Sequence, residues 1–382
     1  MGGSILKSLN VLIDTLSIQP ESGGVRIYMR ELLRNIREKK AVDSVLICSK
    51  SNKDLFSDVC IKKVTIPWET TSRIVRVLTQ QIVIPLISIK YKPDLLFSPV
   101  DVVPLLNPTP IVVCLHSSHI NVESGYGSIL QRIYLKIFTY ASLLRAKRII
   151  VISNYISSHT VRIFRIRESK LQVVYHGGGI MQSKKMPNWR PKRFEERLGG
   201  VLFVGTTHFH KRIDALLYAY ALVKKRNRTR SLPPLSLVGS IIHGTLERII
   251  EIVDAEGIRD CVYILGQVSD DDLFNLFNDS RLLVCPSEAE GFGLPIVEAM
   301  QSALPVVASN RGALPEIGSS AAIYADPDDI SQLADAIEEA LWNDSRREKM
   351  IQAGLVRGDE FDWGKTADKT IEVWKSVCKP EV

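Results

Sequence analysis

The sequence of 382 residues has little cysteine and no cysteine framework. Cys48, Cys60, Cys114, Cys261, Cys285 and Cys378 are scattered, the closest two 12 residues apart. No C-x-x-C pair occurs, so neither a zinc ribbon nor a redox dithiol is suggested. In a chain this long, that usage fits a reducing cytoplasm better than secretion. A leader is also missing: residues 1–16 carry no small-residue cleavage site behind an apolar core. Long apolar runs are absent. The most apolar one, Ile82-Val-Ile-Pro-Leu-Ile-Ser-Ile89, falls short of the roughly 20 residues a bilayer crossing needs. No repeat of 20–50 residues and no low-complexity tract stands out. What remains is ordinary globular composition, 45% hydrophobic and 24% charged. At roughly 100–200 residues per domain, the length predicts two domains.

The net charge of +7 is unevenly divided. Residues 1–180 hold 24 basic and 12 acidic side chains, whereas residues 181–382 hold 25 and 30. A basic half beside an acidic half points to an anionic surface or substrate for the first. Nucleic acid, an acidic membrane and a phosphate-bearing acceptor all answer to that charge. So do solvated lysines that serve only solubility.

Short β-branched runs alternate with helical patterns. Strands are predicted over residues 10–14, 44–48, 94–97, 110–114, 148–152 and 171–175, then 201–204, 235–238, 262–265, 281–285, 305–308 and 321–324. Near-continuous apolar runs of this length mark strands buried on both faces. Helical stretches such as 26–38, 128–144 and 155–164 separate them, which means parallel sheets with helices on both sides. The pattern pauses over the breaker-rich residues 177–200, read as a linker. The chain is therefore expected to be α/β, two Rossmann-like doubly wound domains in tandem with a cleft between them. The first spans 1–180 and is joined by a terminal helix from 364–382; the second spans 181–363.

The densest motif is Pro286-Ser-Glu-Ala-Glu-Gly-Phe-Gly-Leu-Pro-Ile-Val-Glu298, between a predicted strand and a helix. Pro295 suits a first helical turn. Gly291 and Gly293 let the backbone approach a ligand, and free N–H groups at a helix start form an anion site. Glu290 and Glu298 flank that site as acceptors for hydroxyls. A strand–loop–helix corner with a capping Glu explains any one of these residues, but not the set. Three weaker signals follow other strands. Val204-Gly-Thr-Thr-His-Phe-His-Lys-Arg212 offers His210 and Lys211; Glu21-Ser-Gly-Gly-Val-Arg26 offers Gly23 and Gly24; His116-Ser-Ser-His119 ends the strand over 110–114. Alone, each reads as a helix-start lysine, a turn or a structural histidine. Ser269-Asp-Asp-Asp272 reads as a helix cap rather than a metal site. Gly177-Gly-Gly179 fits no phosphate loop.

Glu290-Gly-Phe-Gly-Leu-Pro-Ile-Val-Glu298, followed by Ala299-Met300, Pro305-Val-Val-Ala-Ser309 and Leu314-Pro-Glu-Ile317, resembles the E-x7-E signature of the retaining family 4 glycosyltransferases. The resemblance covers essentially the whole chain and is more specific in the second half. It implies the GT-B fold and transfer of a hexose from a nucleoside-diphosphate sugar, with no metal cofactor. GDP-mannose is the favoured donor, by similarity to mannosyltransferases of surface-polysaccharide assembly, with a UDP-sugar as the other option. The acceptor implied is a glycan or a lipid-diphosphate-linked saccharide, at the inner face of the plasma membrane. Segments 30–40, 73–92 and 145–167 are the candidates for contact with that anionic surface.

The resemblance also implies roles. Glu290 contacts the donor sugar near the reacting face. Gly291, Phe292, Gly293 and Leu294 give backbone contacts to sugar and phosphate, and Glu298 holds the ribose. Lys211 grips the diphosphate. His210 stands where the family usually has arginine, so either it binds as imidazolium or another cation substitutes. Val268, after Gly266-Gln267, meets the base, Gly23 and Gly24 meet the phosphate, and His116 contacts sugar or acceptor. Two other readings stay open: an epimerase or sugar-phosphate synthase of the same fold, and a nucleic-acid binder using residues 224–230. That last run lacks interleaved aromatics for base stacking, so no nucleic-acid partner is expected.

Overall fold

A computed structural model describes residues 8–19, 23–39, 42–59, 61–116, 129–184 and 189–378; Cys60 and His119 lie outside them. The chain divides into two compact units, Met1–Gly177 with Trp363–Val382, and Gly178–Asp362.

The first unit is built on β1 (Leu9–Asp14), β2 (Val42–Ser49), β3 (Lys62–Ile66), β4 (Leu95–Ser98), β5 (Ile111–Leu115), β6 (Arg148–Val151) and β7 (Leu171–Val173). They form one parallel sheet in the order β3-β2-β1-β4-β5-β6-β7. Its central strands are fully buried apolar runs, such as Ile111-Val-Val-Cys-Leu115. β3 was not foreseen, because Lys62-Lys63-Val-Thr-Ile66 is short and cationic. It sits at the sheet edge, where lysines discourage pairing with another chain.

The second unit holds β8 (Val201–Val204), β9 (Leu235–Val238), β10 (Val262–Gly266), β11 (Leu282–Cys285), β12 (Val306–Ser309) and β13 (Ala322–Ala325). This sheet is also parallel, in the order β10-β9-β8-β11-β12-β13. Phe203 of β8 packs with Leu216, Leu217 and Tyr220 of the helix Ile213–Arg226 in its core. β10 departs from the both-faces-buried expectation: as an edge strand it leaves Tyr263 and Leu265 substantially exposed. Both sheets reverse their strand order at one point, β1/β4 and β8/β11. Ligands of open α/β sheets bind beyond the carboxyl ends at such points.

Residues 177–200 are not a free linker. A Cβ on Gly178 would fall 1.9 Å from the Gln301 side chain, and one on Gly179 2.0 Å from Glu298. Arg197 is fully buried, and its guanidinium donates to the carbonyls of Phe277, Asn278, Ser280 and Ser302. The chain passes between units at Gly177/Gly178 and again at Asp362/Trp363. The final helix, Trp363–Cys378, carries two buried tryptophans back to the first unit, with Trp374 5.0 Å from Phe97 of β4.

Candidate active site

Because β8 and β11 are hydrogen-bonded neighbours, the loops that follow them are forced together at the switch point of the second sheet. The Glu288 N–H donates to the His210 carbonyl at 2.7 Å, tying the loops backbone to backbone. Lys211, at the end of the short turn Phe209–Lys211, reaches across and pairs with Glu290 Oε1. The Ser287 hydroxyl donates to the same oxygen at 2.9 Å. Both charged side chains are largely sheltered, 18% exposed for Lys211 and 14% for Glu290. Burial would push the Lys211 ammonium down, but the Glu290 carboxylate outweighs it and holds the group above its ordinary value. The lysine is thus a fixed cation.

His210 is not. Burial, with Lys211 beside it, pushes its imidazole down to about 4. At neutral pH the ring is uncharged, which disfavours the imidazolium alternative in the ligand-free protein. Arg212, next in sequence, adopts φ +52° and pairs with Asp328 and Asp214. Arg311 is paired with Asp326 and Asp328.

The loop ends at Gly293, whose φ of +98° caps the helix Leu294–Gln301, with Pro295 in the first turn. A side chain at Gly293 would be strained and would meet Leu314. Phe292 is buried edge-on against Phe361, ring centroids 5.6 Å apart. This anchor leaves the helix start positioned by packing on one side. On the other, the turn after β12 holds Glu290: its carbonyl accepts from the Ala313 N–H at 3.0 Å, and Gly312, at φ +66°, would drive a Cβ to 2.8 Å from the Glu290 backbone.

Glu298 lies within this helix, 5% exposed, and accepts the Ile180 N–H at 2.7 Å. Burial pushes its carboxyl up to about 7, against the pull of that hydrogen bond, with Asp270 adding to the rise. An acid raised this far above the ordinary 4.5 stabilises the fold fully below 4.5, and that contribution is lost as pH rises through 7. Glu298→Gln should therefore gain stability relative to the parent between pH 5 and 8, by up to ~3 kcal/mol. Denaturant melts across that range measure it; parallel curves would contradict the shift.

Of the remaining candidates, Val268 is half-buried between β10 and the cap at Ser269, whose hydroxyl accepts the Asp272 N–H. Gly23 and Gly24 open the helix Gly23–Glu38 and are exposed, with open space where a Gly23 side chain would stand. His116 follows β5. Its ring meets Tyr28 edge-on at 4.6 Å and lies 5.2 Å from His176. Burial pushes it down to about 3, so it is a neutral imidazole, with Asp101 pulling weakly the other way. The structure thus joins His210, Lys211 and Glu290 to the 291–294 backbone, and separately seats Glu298 on Ile180. Ser287, Gly312 and the Gly179-Ile180 backbone were missed. Ser287 stood inside the motif and Gly179 inside a glycine triplet that fits no phosphate loop; Gly312 and Ile180 carry no local signal.

Two parallel α/β domains, with a lysine–carboxylate pair beside a helix start at the switch point of the second sheet, define the class: a GT-B type protein. Residues 22–177 match the family described as Glycosyltransferase Family 4, and residues 186–357 match Glycosyl transferases group 1. The chain belongs to these glycosyltransferases. It is 33% identical over 63% of its length to the O-antigen chain mannosyltransferase B of Escherichia coli, of which it spans 64%. It spans 27% of the serotype-specific mannosyltransferase WbdA of that organism. It is 27% identical to the O-antigen chain mannosyltransferase RfbU of Salmonella typhimurium, covering 85% of this chain and 92% of that one. Anabaena Alr3699/HepE, solved in complex with UDP, shares the fold with a TM-score of 0.73 at 18% identity, over 96% of this chain and all of that one.

Proposed function

We propose that the chain transfers a hexose, with retention of configuration, from a nucleoside-diphosphate sugar to a glycan or lipid-diphosphate-linked saccharide in surface-polysaccharide synthesis. The observation that carries this reading is the Lys211–Glu290 pair beside the start of the helix Leu294–Gln301. A diphosphate has a fixed cation and the positive end of a helix there, and a sugar has a carboxylate. GDP-mannose is the favoured donor, supported by the two O-antigen mannosyltransferase relatives. A uridine donor is the second option, supported by the UDP complex of the HepE neighbour.

In this reading Lys211 and the 291–294 backbone stabilise charge on the departing diphosphate. The sugar–phosphate C–O bond breaks and the acceptor oxygen bonds to the same carbon from the same face. The hydroxyl proton passes to a phosphate oxygen, while Glu290 steadies the positive charge on the sugar. Glu298 accepts from the ribose. In the first unit, His116 is assigned a sugar or acceptor contact, and Gly23 and Gly24 a phosphate contact through their N–H groups. The anionic partner of the basic half is the inner face of the plasma membrane.

Thermal unfolding with a panel of nucleotides and nucleotide sugars tests the donor assignment. The true donor at about 100 times its Kd should stabilise by about 2.7 kcal/mol. That gain should vanish in Glu298→Ala. Glu290→Ala should lower turnover more than donor affinity. A panel without any stabilising nucleotide, or normal turnover in both variants, would overturn the reading.

A further inference from the structure

The helix Arg73–Tyr91 is turned inside out. Its buried side is largely polar: Thr79, Gln80 and Ser88, with Ile84. Gln80 donates to Asp14 at 2.7 Å, and Trp68 lies across Thr79 with its indole N–H on the hydroxyl at 3.0 Å. The exposed side carries Ile74, Val75, Leu78, Ile82, Leu86 and Ile89. At 100° per residue these six fall within an arc of about 120°. A helix on a water-facing surface shows the opposite arrangement. This is also the one helix among the described residues with the length and apolarity of a membrane crossing, at mean hydropathy 1.3. The apolar run judged too short in the sequence is its second half.

The pattern recurs beside it. In the helix Ile129–Arg145, Thr139 and Ser142 are buried beside Leu143 and are hydrogen-bonded to Asp101 and to the Val103 N–H, while Ile137, Tyr140 and Leu144 are exposed. The strap 101–107 joins the two helices. Gln81 bonds Val103 and Leu105 from one side, and Arg145 bonds Leu105 and Asn107 from the other. Leu106, on that strap, is 90% exposed. Each of the two helices, and the strap hydrogen-bonded between them, thus exposes apolar side chains. Residues 62–167 hold fourteen Arg and Lys against four Asp and Glu. Lys62 and Lys90 both lie over the Tyr91 ring at the helix end.

We propose that these apolar side chains form one face that lies in the interfacial layer of a bilayer containing anionic lipid, with the apolar groups among the acyl chains and lysines and arginines of this region at the phosphates. The 73–91 helix lies flat rather than crossing, because Gln80 and Gln81 bind it to Asp14 and the strap. The charge excess selects an acidic membrane over a second copy of this chain, whose own basic face would repel it. The segment 30–40 falls away as a membrane contact, since Leu32, Leu33 and Ile36 are buried. The inference rests on the lipid-linked acceptor of the proposed function and names the surface that would bring the enzyme to it.

The test is sedimentation of the full chain with vesicles of phosphatidylcholine alone, or with about 30% phosphatidylglycerol. Alongside it run the variants Leu78→Ser/Ile82→Ser/Leu86→Ser and Lys90→Glu/Lys92→Glu, and the donor-induced thermal shift of every protein. The parent should bind the anionic vesicles about tenfold more tightly than neutral ones, and the serine variant should lose about tenfold. The glutamate variant should lose much of the salt dependence. Donor shifts should be unchanged throughout. A parent left in the supernatant at low salt, or a serine variant that binds equally, overturns the proposal. So does a parent dimer that the serine changes dissociate without any vesicle binding. Absence of a donor shift in the parent would instead remove the transferase reading, leaving the vesicle result to be read separately.

Discussion

Lys211→Ala should lower transfer about 10²–10³-fold at saturating donor, the range found on removing one preorganised charge-stabilising group. In the free protein Lys211 and Glu290 neutralise each other. Removing the lysine alone leaves Glu290 sheltered, with Ser287 as its remaining side-chain donor. Such a carboxylate costs stability, on the order of 1–3 kcal/mol. Lys211→Ala/Glu290→Gln should recover part of that stability but none of the activity. The two changes would then be non-additive in both measurements, as expected of contacting charges. Melts and steady-state kinetics of the cycle check this. Parental turnover in Lys211→Ala would end its assignment to the diphosphate.

Arg197→Leu should cost on the order of 3–5 kcal/mol, since it strips one buried donor group from four carbonyls at once. Those carbonyls end the helix Asp270–Asp279, enter β11 and follow the helix Leu294–Gln301. Burial lowers the guanidinium to about 10, with Asp279 opposing the shift, so it stays charged at neutral pH. Arg197→Lys, with three donors on one nitrogen, should recover only part of the loss. Thermal unfolding of the variants reads the effect as about 10 °C or more. A loss of a degree or two would show that water serves the carbonyls equally well.

The fold was legible because central parallel strands are short apolar runs, and both sheets are made of them. What escaped were edges and interruptions. Lys62 and Lys63 hid β3, because an edge strand is written by protection from pairing rather than by burial. The glycines at 177–179 read as a flexible joint, yet their missing side chains make room for Trp363, Gln301 and Glu298. Breakers and close packing share the same letters. The candidate site could be read where one loop carries its residues, from Glu290 to Glu298. It was illegible where distant chain meets it, as at Gly312 against Glu290 and Ile180 against Glu298. His210 shows a different gap: its place beside Lys211 was readable, but its lost charge depends on burial that sequence does not display.

The return of Trp363–Cys378 to the first unit sets an order of folding during synthesis. Domains mature as they leave the ribosome, yet the opening half of this polypeptide must wait for its own closing helix. Phe97 and the cavity at Gly177 stay unfilled until Trp374 and Trp363 emerge. Residues 178–362, being contiguous, can be finished first. A premature stop near residue 360 would thus leave the later-made unit nearly complete and the earlier-made one open, which makes the amino-terminal portion the natural target of quality control.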